Sequence, residues 1–321
     1  VAADLVVLST GIVPDAATTL AESLANHGYV TAAFVANPWL VRGYGFEQGF
    51  ALYEDGFAGL ETTADDVTTA VAQWLGERNR ERPFFLYLHL MDVHGPYLAS
   101  PEDVEAVASS PSLGPDRYLT VTEHETIPKY LLKSAVHPSE VRRLRAWRAA
   151  YAAGVRQFDR RLAALFEILH HHHLFDQAVV VLTSDHGEEL FEHGGSDHGW
   201  NLYEHQLWVP LVMRLPNGER GGARCAQPVR LLDVAPTLLS LTGAASTTPL
   251  QGSDLTRLLR DAGTLESAPA FASATKHRPG LLAWVEEPYK LVADRDFKQM
   301  AVFDLESDPA ETRNIAPDQE Q

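Results

Sequence analysis

Cysteine is almost absent. Cys225 stands alone in 321 residues, so no intrachain disulfide can staple the fold, and the redox compartment is left open. Basic residues are scarce: 26 Lys and Arg face 43 Asp and Glu, a formal net charge of −17. That excludes a nucleic acid as the natural partner. It does not exclude a small anionic substrate, because a bound cation and a few local His, Lys or Arg reverse the field inside a cleft. No apolar run is long enough to span a bilayer, no signal-peptide pattern opens the chain and no internal repeat is present. The chain starts at Val1 rather than Met, so the expectation is that the natural N-terminus lies upstream; cytoplasmic, periplasmic and secreted locations all stay open, as does oligomeric state. What the chain does have is apolar residues, 45% of the total, enough for one large α/β domain or a domain with a small appendage.

Strand-like and helix-like segments alternate, which predicts an α/β fold with a mainly parallel sheet. Helices are expected over Thr18 to His27, closed by Gly28, and over Thr63 to Asn79, where Val67, Val71, Trp74 and Leu75 recur at helical spacing. A long helix is expected from Ser139 to about His170, and another from Leu231 to Thr242, closed by Gly243. Tyr29 to Val35, Phe84 to Met91, Val179 to Thr183 and Val209 to Leu215 read as strands, the second and third as runs buried on both faces. Leu98 to Pro138 reads as a long surface insertion shaping substrate access. The histidine run His170 to His173 reads as a solvated helix end. After about Thr247, short strands at Leu281 to Val285, Lys290 to Ala293 and Ala301 to Asp304 predict a small antiparallel sheet. The expected division is residues 1–246 as the catalytic part and 247–321 as a small C-terminal α+β subdomain.

The chemistry concentrates where strands end. In open α/β sheets, ligands bind beyond the carboxyl ends of the strands. The strand from Phe84 delivers Asp92 and His94 to that edge, and the strand from Val179 delivers Asp185 and His186. Asp185 offers hard oxygen and His186 an imidazole nitrogen, a pair suited to a divalent cation. Gly187 lets the chain turn and approach a ligand closely. An isolated Asp-His would more simply cap the following segment; placement after a five-residue apolar strand, with histidines downstream, favours metal. His94 and His198 could bind an anionic oxygen or protonate a leaving group; a turn histidine bonded to backbone is the plainer use of either. His193 reads as a solvated loop residue, Asp92 and Asp197 as orienting or turn residues, and Cys225 as a buried or half-buried thiol. Trp39, Tyr97 and Trp200 read as core packing ahead of sugar stacking.

With these residues in view the chain resembles the sulfatases of the alkaline-phosphatase-like superfamily. The stretches that carry the resemblance are TTLAESLANHGYVTAAFVANPWL, GFEQGFALYEDG, FFLYLHLMDVHGPY, YAAGVRQFDRRLAALFE, VVVLTSDHGEELFEHG, HGWNLYEHQLWVPLVMRLP, VRLLDVAPTLLSLTGA, and YKLVADRD through VFDLESDPAETRNIA. They occur in the family's order and cover most of the chain. The resemblance implies an α/β/α sandwich with the small C-terminal subdomain, and hydrolysis of sulfate esters of small molecules or carbohydrates. It implies that Asp185 and His186 are half of a divalent metal site, for calcium or manganese, and that His94 and His198 contact the transferred group as catalytic and substrate-binding residues.

Two departures accompany the resemblance. Val35-Ala36-Asn37-Pro38 stands where many sulfatases carry Gly-Lys-Trp-His, so Asn37 is the candidate substitute for the missing anion contacts. The family's paired Asp-Asp after an opening strand, and its Cys/Ser-x-Pro-x-Arg motif that matures to formylglycine, do not occur at the start of this sequence. Both are expected upstream of Val1, and the 321 residues alone are expected to bind metal weakly and turn over no sulfate ester. A phosphodiesterase or phosphonate monoester hydrolase of the same superfamily, and a non-catalytic module on the same scaffold, are the alternatives.

Overall fold

The computed structural model describes residues 5–8, 18–57, 63–95, 97, 99–108, 141–261, 265–266, 268–274 and 280–316. These fall into two compact units, interleaved along the chain. The first takes in residues up to 107, 150–185 and 210–265; the second takes in 108–149, 186–209 and 266–321. The linear boundary expected at residue 247 thus differs from the spatial grouping. Residues 186–209 belong with the antiparallel sheet, and 247–265 with the parallel one.

The first unit is built on a six-stranded sheet. Its strands are β1 (Leu5–Leu8), β2 (Val30–Val35), β3 (Leu52–Glu54), β4 (Phe84–His89), β5 (Val179–Thr183) and β8 (Leu211–Arg214), in the order β3-β2-β4-β1-β5-β8. All neighbours run parallel except β8, which is antiparallel to β5. Alternate side chains of each strand point to opposite faces, and both faces are covered. Phe84, Leu86 and Leu88 of β4 join Val180 of β5 against Val67, Val71 and Leu75 of α2 (Ala64–Glu77) and Leu162, Leu165 and Leu169 of α4 (Val141–His171). Phe85, Val179 and Val181 face the other way, onto Ala21 and Leu24 of α1 (Leu20–Asn26) and Leu238 and Leu239 of α6 (Val234–Thr242). Each buried Val, Leu or Phe among these contributes roughly 1.5–3 kcal/mol by leaving water. This two-sided burial is why β4 and β5 are continuous apolar runs, and it gives the three-layer α/β/α sandwich.

Local signals set the ends. Thr19 caps α1 with its hydroxyl accepting from Glu22 N, while Glu22 answers to Thr19 N at 2.8 Å. Gly243 closes α6 at φ +69. The stretch expected as one helix from Leu231 begins as a 3-10 turn, Leu231–Asp233, before α6. The expected insertion is in part regular: Pro101–Ala108 forms α3, with Ser100 Oγ accepting from Asp103 N at 3.2 Å. The Asp103 carboxylate is buried and held by Arg156 and Arg160 of α4. Ser-Pro-Glu-Asp is a helix-start pattern that the surrounding prolines obscured. Residues 109–138 of that insertion lie outside the described residues.

The second unit holds the antiparallel sheet β9 (Ala270–Ala274), β10 (Leu281–Glu286), β11 (Tyr289–Asp294) and β12 (Met300–Asp304), ordered β12-β11-β10-β9. Three of these strands were expected; β9 was not. Leu281, Ala283, Val292, Ala301 and Phe303 pack around Tyr203. The segment 186–209 contributes a two-stranded ladder, β6 (Glu189–Leu190) with β7 (Ser196–Asp197), and the single turn α5 (Glu204–Leu207).

Candidate active site

In the first unit, β2, β4 and β5 are parallel and end at one edge of the sheet, so Asn37, Asp92, His94 and Asp185 all follow carboxyl ends. Asn37 Oδ1 accepts from Trp39 N at 2.8 Å; this local turn leaves the carboxamide NH2 as the group able to donate to an anion. Trp39 itself is 70% exposed, which corrects the core-packing expectation. Asp92 is structural. Its buried carboxylate takes Arg161 Nη1 at 2.5 Å and Ala64 N at 3.2 Å, tying α4 and the start of α2 beneath the edge. His94 sits in a turn closed by its own N–H to Met91 O at 2.9 Å. Its Nδ1 lies 2.7 Å from Gly95 O; a carbonyl only accepts, so Nδ1 carries the proton and Nε2 the lone pair. Asp185 is exposed just past β5. Desolvation pushes the Tyr87 phenol well above its ordinary value, and the charges of Tyr53 and Asp185 add to this.

In the second unit, His186 Nδ1 is 2.8 Å from Gly187 O, which again leaves Nε2 as the ligand-type nitrogen. The His186 and His198 rings stack with centroids 4.0 Å apart. His198 Nδ1 is 3.2 Å from Glu188 Oε1 and 3.1 Å from Asp197 Oδ1. Gln206 is buried and braces both sides of His198: its Oε1 accepts from Gly199 N at 3.0 Å, and its Nε2 donates to Asp197 O at 3.4 Å. Gly187 is required by closeness to the chain's own backbone rather than to a ligand. Its N–H donates to Gln206 O at 2.8 Å, and a Cβ there would fall 2.1 Å from His205 O.

The hub of this unit is Glu189, fully buried. One carboxylate oxygen accepts from Gly195 N at 2.7 Å and His193 N at 3.2 Å; the other accepts from Asn201 Nδ2 at 2.6 Å and lies 3.7 Å from His205 Nε2. Burial alone would raise its pKa, but the contact and charge of His205 with the Gly195 and Asn201 donors outweigh it and hold the carboxyl below its ordinary 4.5. A depressed carboxyl stabilises the fold fully above 4.5, and that contribution is lost as pH falls through the lower folded value. Thermal melts are therefore expected to drop on acidification below 4.5, and Glu189→Gln to blunt that drop. An unchanged acid profile in the variant would contradict this.

Glu188, Glu189, His205 and Gln206 had no readable signal in the sequence, since their roles depend on returning chain 7–16 residues away. Two further expectations need correcting. His193 is buried, with its ring parallel to Tyr203 at 3.6 Å, and Cys225 is exposed. Two groups among the described residues have donor atoms within 4.8 Å of one another: Glu188, Asp197 and His198, and Glu189, His193 and His205.

The parallel-sheet sandwich of one unit and the antiparallel sheet of the other are the elements of the alkaline-phosphatase-like fold. Solved structures agree. One, in complex with its substrate D-glucosamine-2-N,6-O-disulfate, superposes with a TM-score of 0.73 at 18% identity, covering 92% of this chain and 77% of that one. The phosphonate monoester hydrolase of Agrobacterium radiobacter gives 0.73 at 19%, covering 96% and 77%. A family model described as Sulfatase matches residues 5–244, and one described as N-sulphoglucosamine sulphohydrolase, C-terminal, matches 191–321. The chain belongs to the sulfatase family, whose members depend on metal. It is 30% identical to arylsulfatase K of Mus musculus over 284 residues, 78% of this chain and 49% of that protein. It is 28% identical to N-acetylglucosamine-6-O-sulfatase of Bacteroides thetaiotaomicron over 178 residues, 51% and 31% respectively. The chain thus spans about half the length of the arylsulfatase K relatives it matches.

Proposed function

We propose that the protein hydrolyses sulfate esters carried by carbohydrates, in a metal-dependent reaction. The observation that carries this is the delivery of His94 and Asp185 to one carboxyl edge of a parallel sheet, in a chain whose sulfatase match runs through both. The sugar class is supported by the sulfated glucosamine bound by one structural neighbour and by the name of the Bacteroides relative. Along the sequence, residues 1–246 serve as the catalytic part and 247–321 as its appendage; the family match to 5–244 supports this division, while the spatial grouping and the match to 191–321 put 191–209 with the appendage.

Asp185 and His186 fit a divalent ion, calcium or manganese. One is an exposed carboxylate, and the other is an imidazole whose Nδ1 is engaged by a carbonyl and whose Nε2 therefore has the lone pair. When bound, the ion offsets charge on the transferred sulfate group. Asn37 donates to a sulfate oxygen, His94 contacts the sulfate and passes a proton to the departing alcohol, and His198 holds a further oxygen. The 321 residues contain no precursor motif for formylglycine, so no step is assigned to that group.

The test is calorimetric binding of glucosamine 6-sulfate, with sulfate release followed in parallel. Binding is expected to require calcium or manganese, to fail with unsulfated glucosamine and to be lost in Asp185→Asn. Preference for a phosphonate monoester would move the reading to phosphorus chemistry. Absence of any metal-dependent binding would leave a non-catalytic module.

A further inference from the structure

The second candidate ligand group lies apart from the residues assigned above. Glu189, His193 and His205 converge inside the second unit, with the first two essentially inaccessible to solvent. We propose that Glu189, His193 and His205 form a structural site for a transition-metal ion of the zinc type, separate from the ion at Asp185 and His186.

Three features of geometry support this. First, His193 Nε2 lies 3.1 Å from Ala310 O and 3.4 Å from Glu311 O. Carbonyls only accept, so Nε2 carries the proton and Nδ1 is the basic nitrogen. An imidazole held this way by a carbonyl on its far side is the usual outer support of a metal-binding histidine. Parallel stacking on Tyr203 fixes the ring plane. Second, His205 Nε2 is buried and makes no hydrogen bond to the described residues. Its distance to Glu189 Oε2, 3.7 Å, is too long for a hydrogen bond. Two ligands each about 2.0–2.2 Å from a shared tetrahedral ion stand roughly 3.3–3.6 Å apart, close to that separation. Third, the two imidazole centroids are 5.0 Å apart, the spacing expected of about 5 Å for two rings on one tetrahedral ion with bonds of ~2.0–2.1 Å.

The carboxylate is also prepared as a ligand. Asn201 Nδ2 and the backbone N–H groups of Gly195 and His193 orient it. Gly195 keeps its flank clear, since a Cβ there would fall 2.5 Å from Oε2. Two imidazoles and one carboxylate are a donor set that selects zinc over calcium or magnesium. The other candidate group, at Glu188, Asp197 and His198, includes a half-exposed Asp197 and overlaps the proposed catalytic residues. The ion would tie β6, α5 and the chain near Ala310 together. The alternative occupant of the gap is a proton, giving a His205 imidazolium paired with Glu189.

The experiment loads chelator-stripped Asp185→Asn/His186→Gln protein with cobalt(II) or zinc(II). The expected result is one tightly held equivalent, a visible cobalt spectrum of tetrahedral intensity, and a rise in melting temperature with added zinc. Adding His205→Gln to that background is expected to weaken binding at least 10-fold while near-UV circular dichroism stays native. X-ray absorption of the zinc-loaded wild-type protein, which requires no variant to fold, is expected to show two imidazole nitrogens on a tightly held ion. Absence of a tetrahedral cobalt signal, or nitrogen NMR showing both His205 ring nitrogens protonated under zinc saturation, would overturn the assignment. Absence of metal-dependent sulfate-ester binding by the wild-type protein, with this ion retained, would refute the catalytic reading and leave this one standing.

Discussion

Lys290→Met is expected to destabilise the second unit by about 3–5 kcal/mol, because it breaks a buried ionic group and leaves the partner charges behind. Lys290 of β11 is completely buried, with its ammonium 2.8 Å from Glu204 Oε1 and 2.7 Å from Glu311 Oε1. Glu311 Oε2 in turn accepts from Glu204 N at 2.6 Å, so the group links the sheet, α5 and the C-terminal segment. Burial pushes the Glu311 pKa up, and the ammonium of Lys290 only partly counters this. Without Lys290 that carboxyl must take up a proton or be exposed. Chemical denaturation followed by far-UV circular dichroism measures the loss. The double variant Lys290→Met/Glu311→Gln is expected to regain most of it, since removing both members of a buried pair costs far less than removing one. A single-variant loss below about 1 kcal/mol would show that the group is solvated in solution, as exposed pairs are.

In a form of the protein that carries the nucleophile, His94→Ala has the largest expected effect on the reaction, a fall of about 10²–10⁴-fold in turnover. This rests on the proposed sulfate-ester hydrolysis. The Nδ1 proton is committed to Gly95 O, so the proton passed to the alcohol is one first taken up at Nε2, where the neutral ring has its lone pair. A group that protonates a departing alcohol matters most when the alcohol is a poor leaving group. The loss is therefore expected to be large on a sugar sulfate and small on an activated aryl sulfate. Equal losses on both would reduce His94 to an anion contact. Gln206→Leu should produce a milder change through His198, which Gln206 braces from both sides.

Much of the first unit was legible because one physical rule repeats there. A strand buried on both faces must be apolar throughout, and Phe84–His89 and Val179–Thr183 are. Helices that cover a sheet show their stripe, as Val67, Val71 and Leu75 do. Caps such as Thr19 and Gly243 depend only on neighbours. The second unit was less legible. Its strands are short, and residues that look solvated in sequence are buried there. His193 illustrates this: nothing within four residues reveals that Tyr203 and Ala310 will enclose it.

The sequence by itself determined the fold class, the carboxyl-edge placement of His94 and Asp185, and membership of the sulfatase family. Those features follow from hydrophobic period and from ordered motifs, which are local properties of the chain. Only the tertiary structure decided that Asp92 is a brace, that His186 stacks on His198, and that Glu189, His193 and His205 meet. Such assignments depend on which donors arrive from distant segments. A buried carboxylate or imidazole takes its role from those partners, because burial without them costs more than the fold can bear.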